Sequence, residues 1–190
     1  MSREGYHISD QKAKHFVTFT VVYWIDIFTQ QVFRDIVIDT FRHYRQNQGL
    51  KVHAYVIMPN HIHAVLSATM PKYDLSTIIG NMKRYIANQI LKDIETEHDS
   101  RGWWMLRLFK YAASQHKRNS KYQVFTHQNH PIELSDRDIL EQKIDYIHDN
   151  PVQAGFVEEG HHWKYSSAAN YTSQLSIMPI DLIDEFVSDG

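Results

Sequence analysis

The stretch Lys51–Ala68, "KVHAYVIMPNHIHAVLSA", constrains the fold of this 190-residue chain more than any other. Two apolar runs rich in β-branched residues flank Pro59-Asn60, and a proline with its φ fixed suits a tight turn. The stretch therefore reads as two strands joined in a hairpin. Side chains alternate along a strand, so Ile62, Ala64 and Leu66 face one way and His61 and His63 the other. Two imidazoles so placed are either a solvated sheet face or a pair of metal ligands. Local pattern leaves both open.

The surrounding segments supply the rest of a sheet. "HFVTFTVVYW", residues 15–24, alternates and is rich in valine, threonine and aromatics, a strand. Residues 29–49 show helical spacing at Val32, Phe33, Ile36, Val37, Phe41 and Tyr44, with Thr29 placed to cap the start and Gly49 the end. Asp74 or Ser76 opens a second helix over 75–94, its stripe formed by Leu75, Ile79, Met82, Ile86 and Ile90. A short aromatic helix over 101–113 precedes a basic loop, "SQHKRNSK", and a short strand over 122–126. Ser135 caps a third helix, with Asp138 in the capping-box position. That helix is expected to end near Asn150, because Pro151 disfavours helical geometry in its predecessor.

The order strand–helix–strand–strand–helix–strand is that of an α+β, ferredoxin-like split βαβ antiparallel sheet. Both long helices would cover one face, and the C-terminal helix would follow the sheet. His61 and His63 would then emerge on the free face. One domain over residues 1–190 is expected, its core spanning about 15–171, with an acidic tail at 176–190 and no internal repeat.

Composition excludes little but does so usefully. There are no cysteines, which removes disulfides and thiolate metal sites and fits a cytoplasmic, nucleoid-associated protein. No apolar run approaches the roughly 18 residues of a membrane span. The formal net charge is −2, but four acids and no base lie in the tail, so the remainder is slightly basic. Local clusters such as "FRHYR", "KRY" and "HKRNSKY" permit a nucleic-acid partner.

A catalytic metal site needs a third ligand. In the third helix Leu140, Ile144 and Ile147 define the buried stripe, and Tyr146 and Asn150 sit together at i, i+4 on its flank. His148 lies on the opposite flank. Tyr85 and Gln89 of the second helix stand in the same relation to Ile79, so helical spacing cannot choose between the pairs. The histidines of "HQNHP" and "GHHW" lack a strand spacing that aims both at one point and read as structural.

Taken in order, "AYVIMPNHIHAVL", "KIDYIHDNPVQAGFV" and "WKYSSAANY" resemble the REP-associated tyrosine transposases, a branch of the single-tyrosine HUH insertion-sequence transposases. The resemblance runs from about His15 to Tyr171. It implies metal ligation of Mg²⁺ or Mn²⁺ by His61 and His63, a nucleophilic Tyr146, and Asn150 as third ligand where relatives commonly have glutamine. It favours Tyr146–Asn150 over Tyr85–Gln89, since the latter pair lacks the Asn-Pro-Val context. It also implies cleavage and rejoining of single-stranded DNA beside a hairpin of repetitive extragenic palindrome type, through a 5′-phosphotyrosine. Two nitrogen ligands suit Mn²⁺ at least as well as Mg²⁺.

Substrate contacts are expected from Trp103, Trp104, Lys117, Arg118 and Lys121, where aromatics alternate with bases as in single-strand binders; the tryptophans could equally form a satellite core. The active unit is expected to be a monomer or a homodimer, since in dimeric relatives the tyrosine of one subunit can face the histidines of the other. A non-catalytic hairpin-binding regulator and a water-using metal phosphodiesterase are the alternatives.

Overall fold

The computed structural model describes residues 8–69, 74–96, 100–116, 121–127 and 131–183. Strand β1 (His15–Thr20) leads through 3-10 turns at Val22–Trp24 and Ile27–Thr29 into helix α1 (Gln31–Asn47). Strands β2 (Leu50–Ile57) and β3 (His61–Ala68) follow, then helices α2 (Leu75–Thr96) and α3 (Ser100–Ser114). Strand β4 (Ile132–Glu133), helix α4 (Arg137–Gln153), a 3-10 turn at Gly160–His162 and the short helix α5 (Ala168–Tyr171) complete the order. The sheet is antiparallel in the order β2-β3-β1-β4, the split βαβ arrangement that the sequence predicts.

The hairpin forms as expected: the Met58 amide donates to the His61 carbonyl at 2.8 Å and Ile57 pairs with Ile62. Its two faces meet different partners. Ile62, Ala64 and Leu66 join Val17 and Phe19 in a core with Phe33, Val37 and Phe41 of α1 and Ile78, Met82 and Ile86 of α2. On the other face Phe16, Ala54, Val56 and Val65 pack against Leu140, Ile144 and Ile147 of α4. Each such isoleucine or leucine contributes about 1.5–3 kcal/mol on burial, so three of them fix α4 firmly to the sheet. The stripe that anchors α4 also determines which of its side chains lie along the histidines.

Several boundaries differ from expectation, each for a local reason. β1 stops at Thr20, not Trp24: Val21 makes a single bridge to Phe125, and Tyr23 and Trp24 then take left-handed φ values of 56° and 55°. α1 starts at Gln31, because Thr29 lies in the preceding turn with its hydroxyl donating to the Asp26 carbonyl at 2.7 Å. Gly49, at φ 66°, closes α1 as predicted. Residues 122–126 are not a strand. They pair with the chain after β1 at one bridge only, Val22 N donating to Val124 O at 2.9 Å and Thr126 N to Thr20 O at 2.8 Å, and Lys83 Nζ takes the Thr126 carbonyl at 3.0 Å. The paired edge is instead Ile132–Glu133.

At α4 the cap is Asp136 and not Ser135: its Oδ1 accepts from the amides of Asp138 and Ile139 at 2.8 and 3.2 Å. The helix also passes through Pro151 to Gln153. Pro151 is buried, and the last turn closes on Gly155 at φ 74°, with Ala154 N donating to Asn150 O. Burial of the ring outweighs the local preference that ends helices before proline. The tail docks on β2, where Asp181 accepts from Arg45 Nε at 2.9 Å and from the Val52 amide at 3.0 Å. Of the expected acidic tail, residues 184–190 lie outside the described residues. Among the described residues no helix is long and apolar enough to cross a membrane.

Candidate active site

β3 delivers both imidazoles to the face that α4 covers, their ring centroids 4.6 Å apart. Register puts Thr18 of β1 opposite His63, and its Oγ1 lies 2.8 Å from His63 Nδ1. Beyond the turn, Asn60 Oδ1 lies 2.8 Å from His61 Nδ1, while Asn60 Nδ2 donates to Asp26 Oδ1 at 2.7 Å. A carboxylate only accepts, so Asp26 fixes which end of the Asn60 amide faces His61. That end is the oxygen, so His61 Nδ1 carries the proton and Nε2 keeps its lone pair. One exposed carboxylate thereby sets a tautomer two residues away in the network.

Burial pushes the His63 imidazolium down to about 3, with the nearby His61 and Lys143 charges acting in the same sense. His61 is lowered too, chiefly by burial, against a side-chain hydrogen bond with Asn150 that raises it. Both rings are therefore neutral at pH 7, as metal ligands must be. With Nδ1 of each ring engaged elsewhere and Asn150 beside His61, two imidazole nitrogens and one amide are the candidate donors here. Such a set can hold a divalent ion and leaves further positions for phosphate oxygens.

Tyr146 completes the group. Its hydroxyl lies 3.3 Å from His63 Nε2, and 46% of the residue's surface is exposed. Phe16 backs this arrangement, stacked on His63 at 5.1 Å and edge-on to Tyr146 at 6.1 Å. Lys143 Nζ stands 5.7 Å from the Tyr146 ring, one turn earlier on α4, where its charge favours an anionic ligand. Tyr146 and Asn150 thus meet the histidine pair in space, whereas Tyr85 and Gln89 do not. Those two ride on α2 behind the sheet, Tyr85 close enough to Tyr44 of α1 to act on its ionisation.

Other expected contacts fall elsewhere. Trp103 and Trp104 are exposed on α3, with the Arg107 guanidinium 4.7 Å above Trp103, so they are not a satellite core. Lys121 is exposed and pairs with Glu95 at 3.7 Å. Lys117 and Arg118 lie outside the described residues. A cleft of about 600 Å³ on the α2 side is lined by Lys83, Arg84 and Lys121 rather than by the histidine pair, and one of about 630 Å³ lies beside Tyr146, His148 and His161. The "GHHW" histidines do converge after all: the 3-10 turn brings ligand atoms of Glu159, His161 and His162 within 4.8 Å of one another. Sequence reading missed them because a tight turn, unlike a strand, aims adjacent residues together. It also missed Thr18, Asn60 and Asp26. Thr18 meets His63 across the β1–β3 pairing, whose register no hairpin turn fixes, and Asp26 reaches Asn60 through a turn that no periodicity reveals.

The family model described as "Transposase IS200 like" matches residues 10–142. This span holds the histidine pair and stops just short of Tyr146. Among solved structures, a REP-associated tyrosine transposase bound to a REP hairpin superposes with a TM-score of 0.59 at 19% identity, covering 100% of this chain and 95% of that one. A candidate transposase from Deinococcus radiodurans R1 aligns over 78% of this chain and 98% of its own, at 18% identity and a TM-score of 0.38. No curated protein matches. The first superposition shows the fold, and the family model, spanning well over half of the sequence, shows the lineage: the chain belongs to the IS200-like transposase family.

Proposed function

We propose that this transposase cuts and rejoins single-stranded DNA beside a hairpin, with Tyr146 as the nucleophile and His61, His63 and Asn150 as ligands of Mg²⁺ or Mn²⁺. The observation that carries the reading is the Tyr146 hydroxyl 3.3 Å from His63 Nε2, on a face where no other tyrosine hydroxyl meets the histidine pair among the described residues. The hairpin is carried over from the solved relative, whose bound ligand is a REP hairpin.

The chain's own contributions follow from the geometry. α4, fixed by its isoleucines, holds the phenol beside the ion's ligands, so attack on a phosphate is a matter of positioning more than of raw nucleophilicity. The phenolic oxygen forms a bond to phosphorus and gives its proton to water, while the P–O3′ bond breaks and the departing 3′-oxygen takes a proton from water to become a hydroxyl. The resulting 5′-phosphotyrosine keeps the phosphodiester energy, so a 3′-hydroxyl can displace the tyrosine later without ATP. Lys143 supplies positive charge where the phosphate must arrive. A bound divalent ion would polarise the scissile phosphate and spread its developing charge.

The test is an adduct assay on labelled hairpin oligonucleotides copied from repeats flanking the gene, with and without Mn²⁺, resolved on a denaturing gel. A metal-dependent shifted band that disappears in Tyr146→Phe and persists in Tyr85→Phe is expected. Mn²⁺ is expected to support it at least as well as Mg²⁺. Cleavage without a band would replace the tyrosine by water, and tight binding with neither would make the chain a hairpin-binding regulator.

A further inference from the structure

The chain between β1 and α1 does something that packing does not require. Tyr23 and Trp24, two bulky aromatics, both adopt left-handed backbone geometry, which side chains with a Cβ avoid. The rings are not buried in return: 50% of Tyr23 and 64% of Trp24 remain exposed. Strain of this kind, kept while large apolar groups stay in water, points to a ligand.

The rings form a row that starts at the candidate active site. The Trp24 ring lies 6.0 Å from the ring of His61. Tyr23 lies 6.3 Å from Tyr111 of α3, its ring tilted 30° to it. Trp104 and Leu108 of α3 close the other side of a cleft of about 440 Å³ that Tyr23 and Trp24 line. The exposed side of α3 adds Arg107, lying over Trp103, and Lys110. Asp26 is the acid lining the cleft, and its Oδ1 is already taken by Asn60. Flat apolar faces at the surface, cations beside them and a direct path to a phosphate-handling tyrosine match the chemistry of unpaired bases on a phosphate backbone.

We infer that Tyr23, Trp24, Trp104 and Tyr111 form a stacking platform for the unpaired bases of single-stranded DNA next to the phosphate presented to Tyr146. The inference rests on the proposed function for its direction, since it is continuity with His61 that makes the row a path to the reacting phosphate. Trp24, nearest His61, takes the base closest to that phosphate. Arg107 and Lys110 follow the backbone outward.

The test uses the full chain in EDTA, so that binding is read without cleavage. Labelled twelve-residue oligothymidine and a duplex of equal length are titrated against wild type, Trp24→Ala, Trp24→Phe, Trp24→Gly and Trp104→Ala. Loss of one stacked base typically weakens single-strand binding by roughly 5- to 150-fold. Trp24→Ala and Trp104→Ala are expected to lose about tenfold for the single strand and little for the duplex, with Trp24→Phe keeping most of the affinity. Trp24→Gly removes the ring and also the left-handed strain, so it is expected to melt at or above the wild-type temperature while binding as poorly as Trp24→Ala.

Ring variants that bind the single strand within about twofold of wild type would overturn the platform. So would a Trp24→Gly that loses melting temperature along with affinity, which would make the ring structural. Dissociation of a dimer in the ring variants, with oligothymidine binding intact, would assign the rings to a second copy and likewise overturn it. The hairpin adduct separates the two readings. Its absence alongside Trp24-dependent binding would remove the proposed function and leave the platform, and its presence without that binding would do the reverse.

Discussion

One substitution, made at two glycines, is expected to move stability in opposite directions. Gly160 opens the 3-10 turn that rests on α4, and a Cβ there would lie 2.3 Å from the His148 carbonyl oxygen and 3.1 Å from its carbon. Both atoms are backbone, so the turn itself must retreat, by about 1 Å to restore ordinary contact. Ala168 Cβ, 3.6 Å away, stands on the α5 side of the same gap. Overpacking of this kind costs about 1–3 kcal/mol, and the lack of a side chain that can yield places Gly160→Ala near the upper end. At about 2–4 °C per kcal/mol for a chain of this size, the melting temperature should fall by roughly 6–12 °C. Gly80 is exposed inside α2, and a Cβ added there would have nothing within 4 Å, so Gly80→Ala should gain about 1 kcal/mol of helix propensity and melt a few degrees higher. Thermal melts by circular dichroism, at one scan rate for all three proteins, read both. A Gly160→Ala protein as stable as wild type, or two shifts of the same sign, would refute the reasoning from close approach.

Two further outcomes follow from single contacts. Asn60→Ala removes the amide that holds His61 Nδ1 and that Asp26 orients, and outer partners of metal-binding histidines are typically worth 10- to 100-fold. Mn²⁺ affinity, followed by the loss of free-ion EPR signal, should drop in that range, and affinity within twofold of wild type would sink the tautomer argument. Lys83 is half-buried over Phe19 and Phe125, and burial brings its amine down to about 8. Between pH 8 and the unfolded value near 10.5 the unfolded chain binds the extra proton, so stability rises with pH across that window. Lys83→Met should therefore be more stable than wild type at pH 7, by about 1–3 kcal/mol in urea titrations, with the gain gone by pH 10.5. A gain that does not change with pH would point to packing instead.

The hairpin, both long helices and the placement of the histidines on the face opposite those helices were legible because period-2 and period-3.6 patterns are carried by many residues at once; that α4 covers this face was not. What stayed hidden rested on single contacts. Residues 122–126 have strand composition, yet pairing stops after one bridge, where Lys83 claims the Thr126 carbonyl with a side chain that no strand pattern reveals. Asp136 outcompetes Ser135 as a cap by one position, a choice that spacing cannot resolve. The tie between Tyr85 and Tyr146 is geometric: both flank an isoleucine stripe, and only the side of the sheet on which each helix packs separates them. Trp24 read as the end of a strand, since no propensity anticipates two consecutive left-handed aromatics.

The hydrogen bond between Tyr146 and His63 joins residues of one and the same polypeptide, 83 positions apart. Its consequence concerns dosage. If nucleophile and ligands come from one chain, a copy damaged at either cannot borrow the missing part from a neighbour. Mixing chains that lack the phenol with chains that lack the imidazole should then restore nothing, and the yield of linked DNA should rise in direct proportion to intact copies. Under the proposed chemistry, inactivating mutations would then act within each molecule, and a defective copy would neither rescue nor poison an intact one.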